Sequence, residues 1–414
     1  MNTPTPEKPA FSRYQIFIIV ILSVLQFSVI LDFMVLSPLG ASLMPELDIT
    51  TTQFGFVVSA YAFSAGASGL LAAGFADRFD RKILLLFFYI GFIVGTVLCA
   101  IAPTYHLLLI ARIVTGIFGG VISGVGFAII TDLFKMEVRG QVMGFVQTAF
   151  AASQILGIPV GLLLANQFTW HAPFWLIAGF SVLTAIVIAV YMQPITGHLA
   201  FPSTKKPFEH LWKTLTNNDY LKGFVTTTVL ATGGYMLMPF GSAFSTNNLG
   251  LSIKSLPLLY GITGVFTIFL SPLLGKLSDK IGKFNVFMLG TIVGVVIVAI
   301  YSNLGPTPFW LVTVLNVLLF VGITSRIISS SALMSTVPDP QDRGAFMSIN
   351  SSVQQISGGI AASIAGMIVI QHPSGMLENY NILGYTVIVS MLCAIVLMYR
   401  LDQHVKKKFA AKKV

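Results

Sequence analysis

Charged side chains are scarce in this chain of 414 residues. Asp, Glu, Lys and Arg together make up 9% of it, against about 25% in a soluble domain. So few charges cannot clothe a surface that meets water. A soluble globular fold is excluded, and lipid is the solvent that suits the composition. Cysteine is scarcer still. Cys99 and Cys393 sit far apart in apolar runs, which excludes a disulfide framework and reads as two small buried residues. His106 and His171 fall near outer span ends, His198, His210 and His404 are cytoplasmic, and His372 lies in an outer loop. None has Cys, Asp or Glu at ligand spacing, so no metal is assigned. A Gly-x-x-x-x-Gly-Lys-Ser/Thr loop is missing, which speaks against ATP hydrolysis by this chain. With no nucleophile–base constellation visible, the chain does not read as an enzyme, and no cofactor is called for.

What the chain has is apolar length. Hydrophobic residues make up 55% of it, and its mean hydropathy is +0.85. A membrane-spanning helix needs about 20 mostly apolar residues. Segments 15–39, 53–75, 83–102, 106–134, 140–166 and 173–193 qualify, and so do 221–246, 255–275, 284–303, 308–336, 344–370 and 381–401. The first run is too long for the apolar core of a signal peptide and carries Asp32, so it reads as a span. The polar interval from Gln193 to Tyr220 reads as a linker with an amphipathic helix at Phe208–Leu215. The expected organisation is a six-helix bundle over 1–193, a cytoplasmic linker over 194–220, a second bundle over 221–402 and a basic tail over 403–414.

The positive charges orient this arrangement. With the N-terminus inside, 21 of the 24 Lys and Arg residues fall in inner segments, and only Lys254 falls in an outer loop. Both termini are therefore expected in the cytoplasm. The formal net charge of +9 is loop and tail charge, and nucleic acid is not a partner. The tail Lys406–Lys413 is expected to rest against anionic headgroups.

The halves repeat. Ala73-Gly-Phe-Ala-Asp77-Arg78-Phe-Asp80-Arg81-Lys82 follows the second span, and Gly275-Lys-Leu-Ser-Asp279-Lys280-Ile-Gly282-Lys283 follows the eighth. Arg139-Gly140 and Arg343-Gly344 follow the fourth and tenth. Internal repeats of this kind typify secondary transporters. The paired loops resemble the pattern G-x-L-A-D-R-x-G-R-K of the major facilitator superfamily, and the resemblance covers essentially the whole chain. The fourth span, Leu109-Ile-Ala-Arg112-Ile-Val-Thr-Gly116-Ile-Phe-Gly119-Gly120, resembles that family's fourth helix with its buried arginine. Gly157-Ile-Pro159-Val-Gly161 is a variant of the antiporter motif of efflux members, similar to the form in bacterial sugar and drug efflux permeases. The first-half loop departs from the pattern at Ala73 and Asp80, which puts the tightness of its turn in question. The resemblance implies an all-α membrane protein with the major facilitator fold, about twelve helices in two pseudo-symmetric six-helix bundles. It also implies a monomer in a bacterial inner membrane.

Roles can be assigned to residues within this frame. Asp77, Arg78, Arg81, Asp132, Asp279, Lys280 and Arg343 are expected to form a cytoplasmic conformational gate, with Asp132 pairing to Arg81 and Asp77 meeting the start of the eleventh helix. Gly116, Gly120 and Gly124, spaced four apart, form a flat stripe for close helix packing, and Gly157, Pro159 and Gly161 repeat the device around a kink. Asp32, Arg112 and Arg326 lie inside spans, where a charge costs about 2.5–3.5 kcal/mol on insertion scales. At about 1.5 Å per residue, Asp32 and Arg112 lie at similar depth, roughly 10 Å below the outer surface. Asp32 is the expected proton-coupling residue, tuned by Arg112. Gln26, Gln147, Gln154, Asn316, Arg326, Asn350, Gln354 and Gln355, with the aromatics Phe33, Tyr61, Tyr235 and Phe240, are expected to line the substrate cavity. The expected function is proton-coupled efflux of small amphiphilic molecules or sugars by alternating access. Import or facilitated passage of an organic anion or zwitterion, and a non-transporting receptor on the same fold, stay open as alternatives.

Overall fold

A backbone in lipid finds hydrogen-bond partners only within itself, so long apolar segments become helices. The computed structural model describes residues 11–72, 75–200, 207–339, 342–372 and 374–411. The first half holds α1 (Arg13–Leu47), α2 (Thr51–Ala72), α3 (Arg81–Ala100), α4 (Tyr105–Leu133), α5 (Met136–Ala152), α6 (Ile158–Gln167) and α7 (Ala172–Tyr191). After the linker helix α8 (Pro207–Leu215) come α9 (Asn218–Leu237), α10 (Gly241–Asn247), α11 (Leu256–Ile281), α12 (Lys283–Tyr301), α13 (Phe309–Met334), α14 (Arg343–Ile368) and α15 (Tyr380–Ala411). Ser12 opens α1 with a capping box: its hydroxyl accepts from the Gln15 N–H, and the Gln15 side chain accepts from the Ser12 N–H.

Among the described residues, nine helices are individually long and apolar enough to cross a bilayer. The three other spans differ for physical reasons. The fifth is broken: a π turn at Ser153–Gly157 joins α5 to α6, and Ile158 donates back to the Ser153 carbonyl. Pro159 has no N–H and its ring crowds the carbonyl four residues earlier, so the helix takes in one extra residue. The seventh is broken at a 3₁₀ turn, Met238–Phe240, around Pro239. The eleventh, α14, is unbroken but polar, carrying Asn350, Gln354 and Gln355. The run expected to end at residue 39 continues as helix through Pro38 and Pro45 to Leu47.

Helix pairings repeat between the halves. In the first, α3 packs on α4 and α7, α2 on α4, and α1 on α5 and α7; in the second, α12 packs on α13 and α15, α11 on α13, and α9 on α14 and α15. The repeat read in the loops is thus a repeat of six spans in space. Between halves, α2 lies against α14, while α6 and the π turn lie against α11. Outward-facing positions are apolar: Ile83, Phe87, Leu183, Phe269 and Val389 are all largely exposed. Such a surface suits lipid and not water.

Two features differ from expectation. In the loop before α15, β1 (Ile370–Gln371) pairs antiparallel with β2 (Leu377–Glu378), with Ile370 opposite Glu378; Gly375 turns the hairpin at φ +87°. At the other end, α15 runs on as helix well into the basic tail. There the Lys408 ammonium donates to the Val337 carbonyl at 2.8 Å and lies 3.3 Å from the Asp339 carboxylate. This lysine is docked on the protein rather than on headgroups, because Asp339 gives it a nearer counter-charge. Residues 412–414 lie outside the described residues.

Candidate functional site: a buried ion pair in the first bundle

Asp32 sits mid-way along α1 and Arg112 in the second turn of α4, and both side chains are 0% exposed. Arg112 Nη1 donates to Asp32 Oδ2 at 2.7 Å and lies 3.4 Å from the Asp32 backbone oxygen. From α3, the Thr96 hydroxyl lies 3.2 Å from Asp32 Oδ1 and 3.0 Å from the Phe92 carbonyl, so its one proton is shared between them. From α2, the Tyr61 ring covers the guanidinium, with its centroid 4.6 Å from Arg112 Cζ. Arg112 Nε and Nη2 have no hydrogen-bond partner among the described residues.

Glycines allow this convergence. A Cβ on Gly95 of α3 would stand 2.7 Å from the Thr115 backbone on α4, and one on Gly120 would collide with the Ala65 backbone on α2. One on Gly116 would run into Ser64 and the Tyr61 backbone. Close crossings at these points deliver Thr96 and Tyr61 to the ion pair. Gly124 departs from the expected stripe. A Cβ there meets nothing within 4 Å, because α2 has no backbone opposite it, so Gly124 does not serve helix packing. Gly157 and Gly161 pack on Leu31 and Val35 of α1, which seats the kinked fifth span beside Asp32.

The aromatic residues divide. Phe33 lies between Tyr61 (5.2 Å) and Tyr235 of the second half (5.8 Å), so an aromatic ladder crosses between the bundles next to the ion pair. Phe240 is elsewhere. It is fully buried against Phe54, ring centroids 6.0 Å apart. The 3₁₀ turn at Pro239 carries its ring into the contact between the C-terminal part of α1, the start of α2 and α10, and this removes it from any cavity wall. That contact is a seal. Thr51 donates to the Val369 carbonyl at 2.5 Å and Thr52 to the Gly366 carbonyl at 2.8 Å. Ser363 donates to Ser59 at 2.8 Å, Ser242 to the Ser37 carbonyl at 3.2 Å, and Asn166 to the Ile253 carbonyl at 3.2 Å. Gly55 and Gly366 let α2 and α14 cross in near-contact there. These small residues carry no signal that distinguishes them from ordinary packing in one sequence.

The polar cavity residues are mostly engaged within one half. Gln26 accepts from Ser123 at 2.7 Å, beside a void lined by Leu22, Ile122, Phe127 and Val146. Asn350 accepts from Thr227 at 2.6 Å, and Asn316 lies 3.4 Å from Thr263. Gln154 is half-buried in the π turn and Gln354 is exposed on α14. Gln355 brings its Cβ beside Gly66 of α2, and its Oε1 is buried with no partner among the described residues. The Gln147 side chain lies outside the described residues. Arg326, on α13, is 6% exposed, with Nε and Nη2 unpartnered among the described residues; its Cζ stands 5.7 Å from the Phe287 ring centroid.

A sequence model of the Major Facilitator Superfamily matches residues 22–362. The chain belongs to this superfamily. It is 28% identical over 261 residues to the uncharacterized MFS-type transporter YceJ of Bacillus subtilis (strain 168), across 63% of this chain and 66% of that protein. The chain thus spans just under two thirds of that relative's length. It is 24% identical over 329 residues to a probable sugar efflux transporter of Helicobacter pylori (strain G27), across 77% of this chain and 80% of that one. Its fold matches a bacterial homolog to the human lysosomal transporter Spinster, in inward-facing and occupied conformation. That match has a TM-score of 0.74, at 13% identity, over 95% of this chain and 98% of the other.

The loops that carry the superfamily's motif are unlike in their two copies. In the first half, Arg81 Nε donates to Asp132 Oδ2 at 2.9 Å and Arg81 Nη1 to the Ala76 carbonyl at 2.9 Å. His198, which the sequence leaves without a role, brings Nδ1 within 3.3 Å of the same Asp132 oxygen. Asp80 stands where the motif has glycine. It caps α3 by accepting from the Lys82 N–H at 2.8 Å and also accepts from the Ile195 N–H at 3.0 Å. In the second half Gly282 adopts φ +96°, a conformation that favours glycine. Asp279 and Lys280 beside it are exposed, as is Arg78 in the first half. The side chains of Asp77 and Arg343 lie outside the described residues.

Proposed function

We propose that this superfamily member is a proton-coupled exporter of small amphiphilic molecules or sugars, working by alternating access. The observation that carries the reading is the sealed Asp32–Arg112 pair, joined at 2.7 Å. Asp32 is the one acidic residue well inside the spans. In a low-dielectric interior two opposite charges in contact are tolerable, while a lone charge is not. A proton on Asp32 therefore leaves the Arg112 guanidinium without its counter-charge. Relief comes from movement of α4 along its glycine contacts with α2 or from a substrate group that takes over the guanidinium. Either route links proton loading to a change of shape, which is what coupling requires.

The outer seal fits one stage of this cycle. With α2 tied to α14 at Thr51, Thr52 and Ser59, an outside proton reaches Asp32 only after those bonds part. The latch of Arg81, Asp132 and His198 faces the cytoplasm in the orientation that the 21 inner-segment Lys and Arg residues support. The same distribution supports both termini in the cytoplasm of a bacterial inner-membrane protein. One chain supplies both bundles and their contacts, which supports a monomer. The relative named a probable sugar efflux transporter supports outward movement of substrate.

The test is flux in proteoliposomes with an imposed pH gradient, scanned over sugars and amphiphilic compounds. Substrate accumulation that collapses with the gradient is expected. Accumulation indifferent to pH would sink the coupling. A second reading, passage of an organic anion or zwitterion, is favoured by Arg326, and gradient-independent flux of such a compound would select it.

A further inference from the structure

Asp32 has a counterpart position in the second half, and it holds no side chain. Pro38-Leu39-Gly40 on α1 and Pro239-Phe240-Gly241 after α9 are matching Pro-x-Gly segments. They also meet in space, since Ser242 donates to the Ser37 carbonyl and the Pro239 carbonyl stands 3.3 Å from where Gly40 would carry a Cβ. Six residues before each proline lie Asp32 and Gly233. The position that gives the first half its carboxylate is a glycine in the second.

A buried guanidinium reaches that position all the same. Arg326 Nη2 would stand 3.9 Å from a Cβ on Gly233. Around the same point are Ser390 Oγ at 3.6 Å and Met391 Cγ at 3.8 Å, and Gly234, next in the chain, has nothing within 4 Å of its own Cβ position. Arg326 is 6% exposed, and no carboxylate pairs with it among the described residues. Its Nε and Nη2 are buried donors without acceptors among the described residues, and the aromatic face of Phe287 is 5.7 Å away. A buried cation of this kind is stable only with a counter-charge. Gly233 has no side chain to supply one, and the space beside Gly234 is open.

We infer that Arg326, Gly233 and Ser390 form an anion site that takes a single small negative charge where the first half has the Asp32 carboxylate. Arg326 donates two N–H groups in its fork, while the Ser390 hydroxyl, whose own proton goes to the Val229 carbonyl at 2.9 Å, borders the site. The charge is a carboxylate carried by the substrate or a free inorganic anion. The inference rests on the transport reading only for the occupant's role in the cycle, because the binding itself can be measured without flux.

Thermal unfolding of the full chain in detergent tests it. The starting buffer holds only a bulky sulfonate anion, and sodium acetate or sodium chloride is then added at matched ionic strength. A ligand that binds only the folded state raises the melting temperature with its concentration. The wild type is expected to gain several degrees, saturably. Gain with acetate but not chloride identifies a carboxylate occupant; gain with chloride identifies an inorganic one. Arg326→Gln is expected to lose the gain. Gly233→Asp meets only ordinary contacts at its Cβ and supplies a built-in carboxylate. It is expected to start at the higher melting temperature and to ignore both salts. A wild-type melting temperature indifferent to both anions, or an undiminished gain in Arg326→Gln, overturns the site. Failure of the proton-coupling reading would leave these results untouched, since no gradient enters the measurement.

Discussion

The two bundles share helix pairings but not chemistry. The first half holds its buried arginine against a carboxylate at 2.7 Å and under an aromatic ring, while the second holds a buried arginine with no acidic partner among the described residues. Their loops differ in the same sense: Arg81 is pinned to Asp132, whereas Asp279 and Lys280 stand exposed. Duplication supplies the frame and side chains divide the work. A self-contained ion pair can trade its carboxylate charge for a proton. An unpaired guanidinium can only wait for an anion from outside.

The sharpest contrast is in stability. Asp32→Ala strips Arg112 of its partner, and breaking a buried pair in this way costs about 3–5 kcal/mol. The neutral double variant Asp32→Asn with Arg112→Gln should recover much of that loss. Arg326→Gln, in buffer free of small anions, should cost nothing or add stability, because it removes a charge that has no partner. Thermal or denaturant unfolding of the four proteins measures the difference. Equal losses for Asp32→Ala and Arg326→Gln would erase the distinction between the halves.

Packing comes next. Gly116→Val places methyl groups against the Tyr61 backbone and should cost about 1–3 kcal/mol through overpacking. Gly124→Ala has open space and should gain about 0.5–1 kcal/mol from lower helix strain and entropy. A similar penalty at both positions would mean that α4 packs on α2 along its whole length.

The loops should separate less widely. Arg81→Gln removes hydrogen bonds to a carboxylate and should cost about 1.5–3 kcal/mol. Lys280→Gln should stay within about ±0.5 kcal/mol. Equal unfolding midpoints would show that the first-half loop is no more latched than the second.

The smallest effect is at the start of α9. The Lys222 ammonium, 2.8 Å from Asp219, and then His404 hold the Asp219 carboxyl below its ordinary pKa. A lowered pKa stabilises the fold above the unfolded value, and the benefit fades as pH falls through the folded one. The melting-temperature difference between wild type and Asp219→Asn should therefore be small at neutral pH and vanish in acid. A difference that grew in acid would contradict the pairing.

Much of this was legible in the order of residues. Hydropathy reports where a helix can cross, and the paired loop motifs report that the crossings repeat. Asp32 and Arg112 could be matched because a lone acid and a base at similar depth have few other partners. Hydropathy does not register backbone geometry: Pro159 announces a kink in the fifth span, but neither the π turn before it nor the break at Met238–Phe240 leaves a mark on the apolar pattern. Nor does it say which way a side chain turns. Phe240 turns into the contact with Phe54 and Gly124 into open space, because helix rotation is set by neighbours distant in sequence. His198 joined Asp132 through a fold of the linker onto the second-to-third loop, which no local pattern announces.

The central claim is that the proton rides on Asp32. Proton-driven accumulation and gradient-independent exchange of one transported compound should be compared in proteoliposomes for wild type and Asp32→Asn. The account predicts that Asp32→Asn keeps exchange and loses accumulation, because an amide fills the same space but cannot take up or release the proton. Accumulation by Asp32→Asn to the wild-type level under the same pH gradient would contradict it.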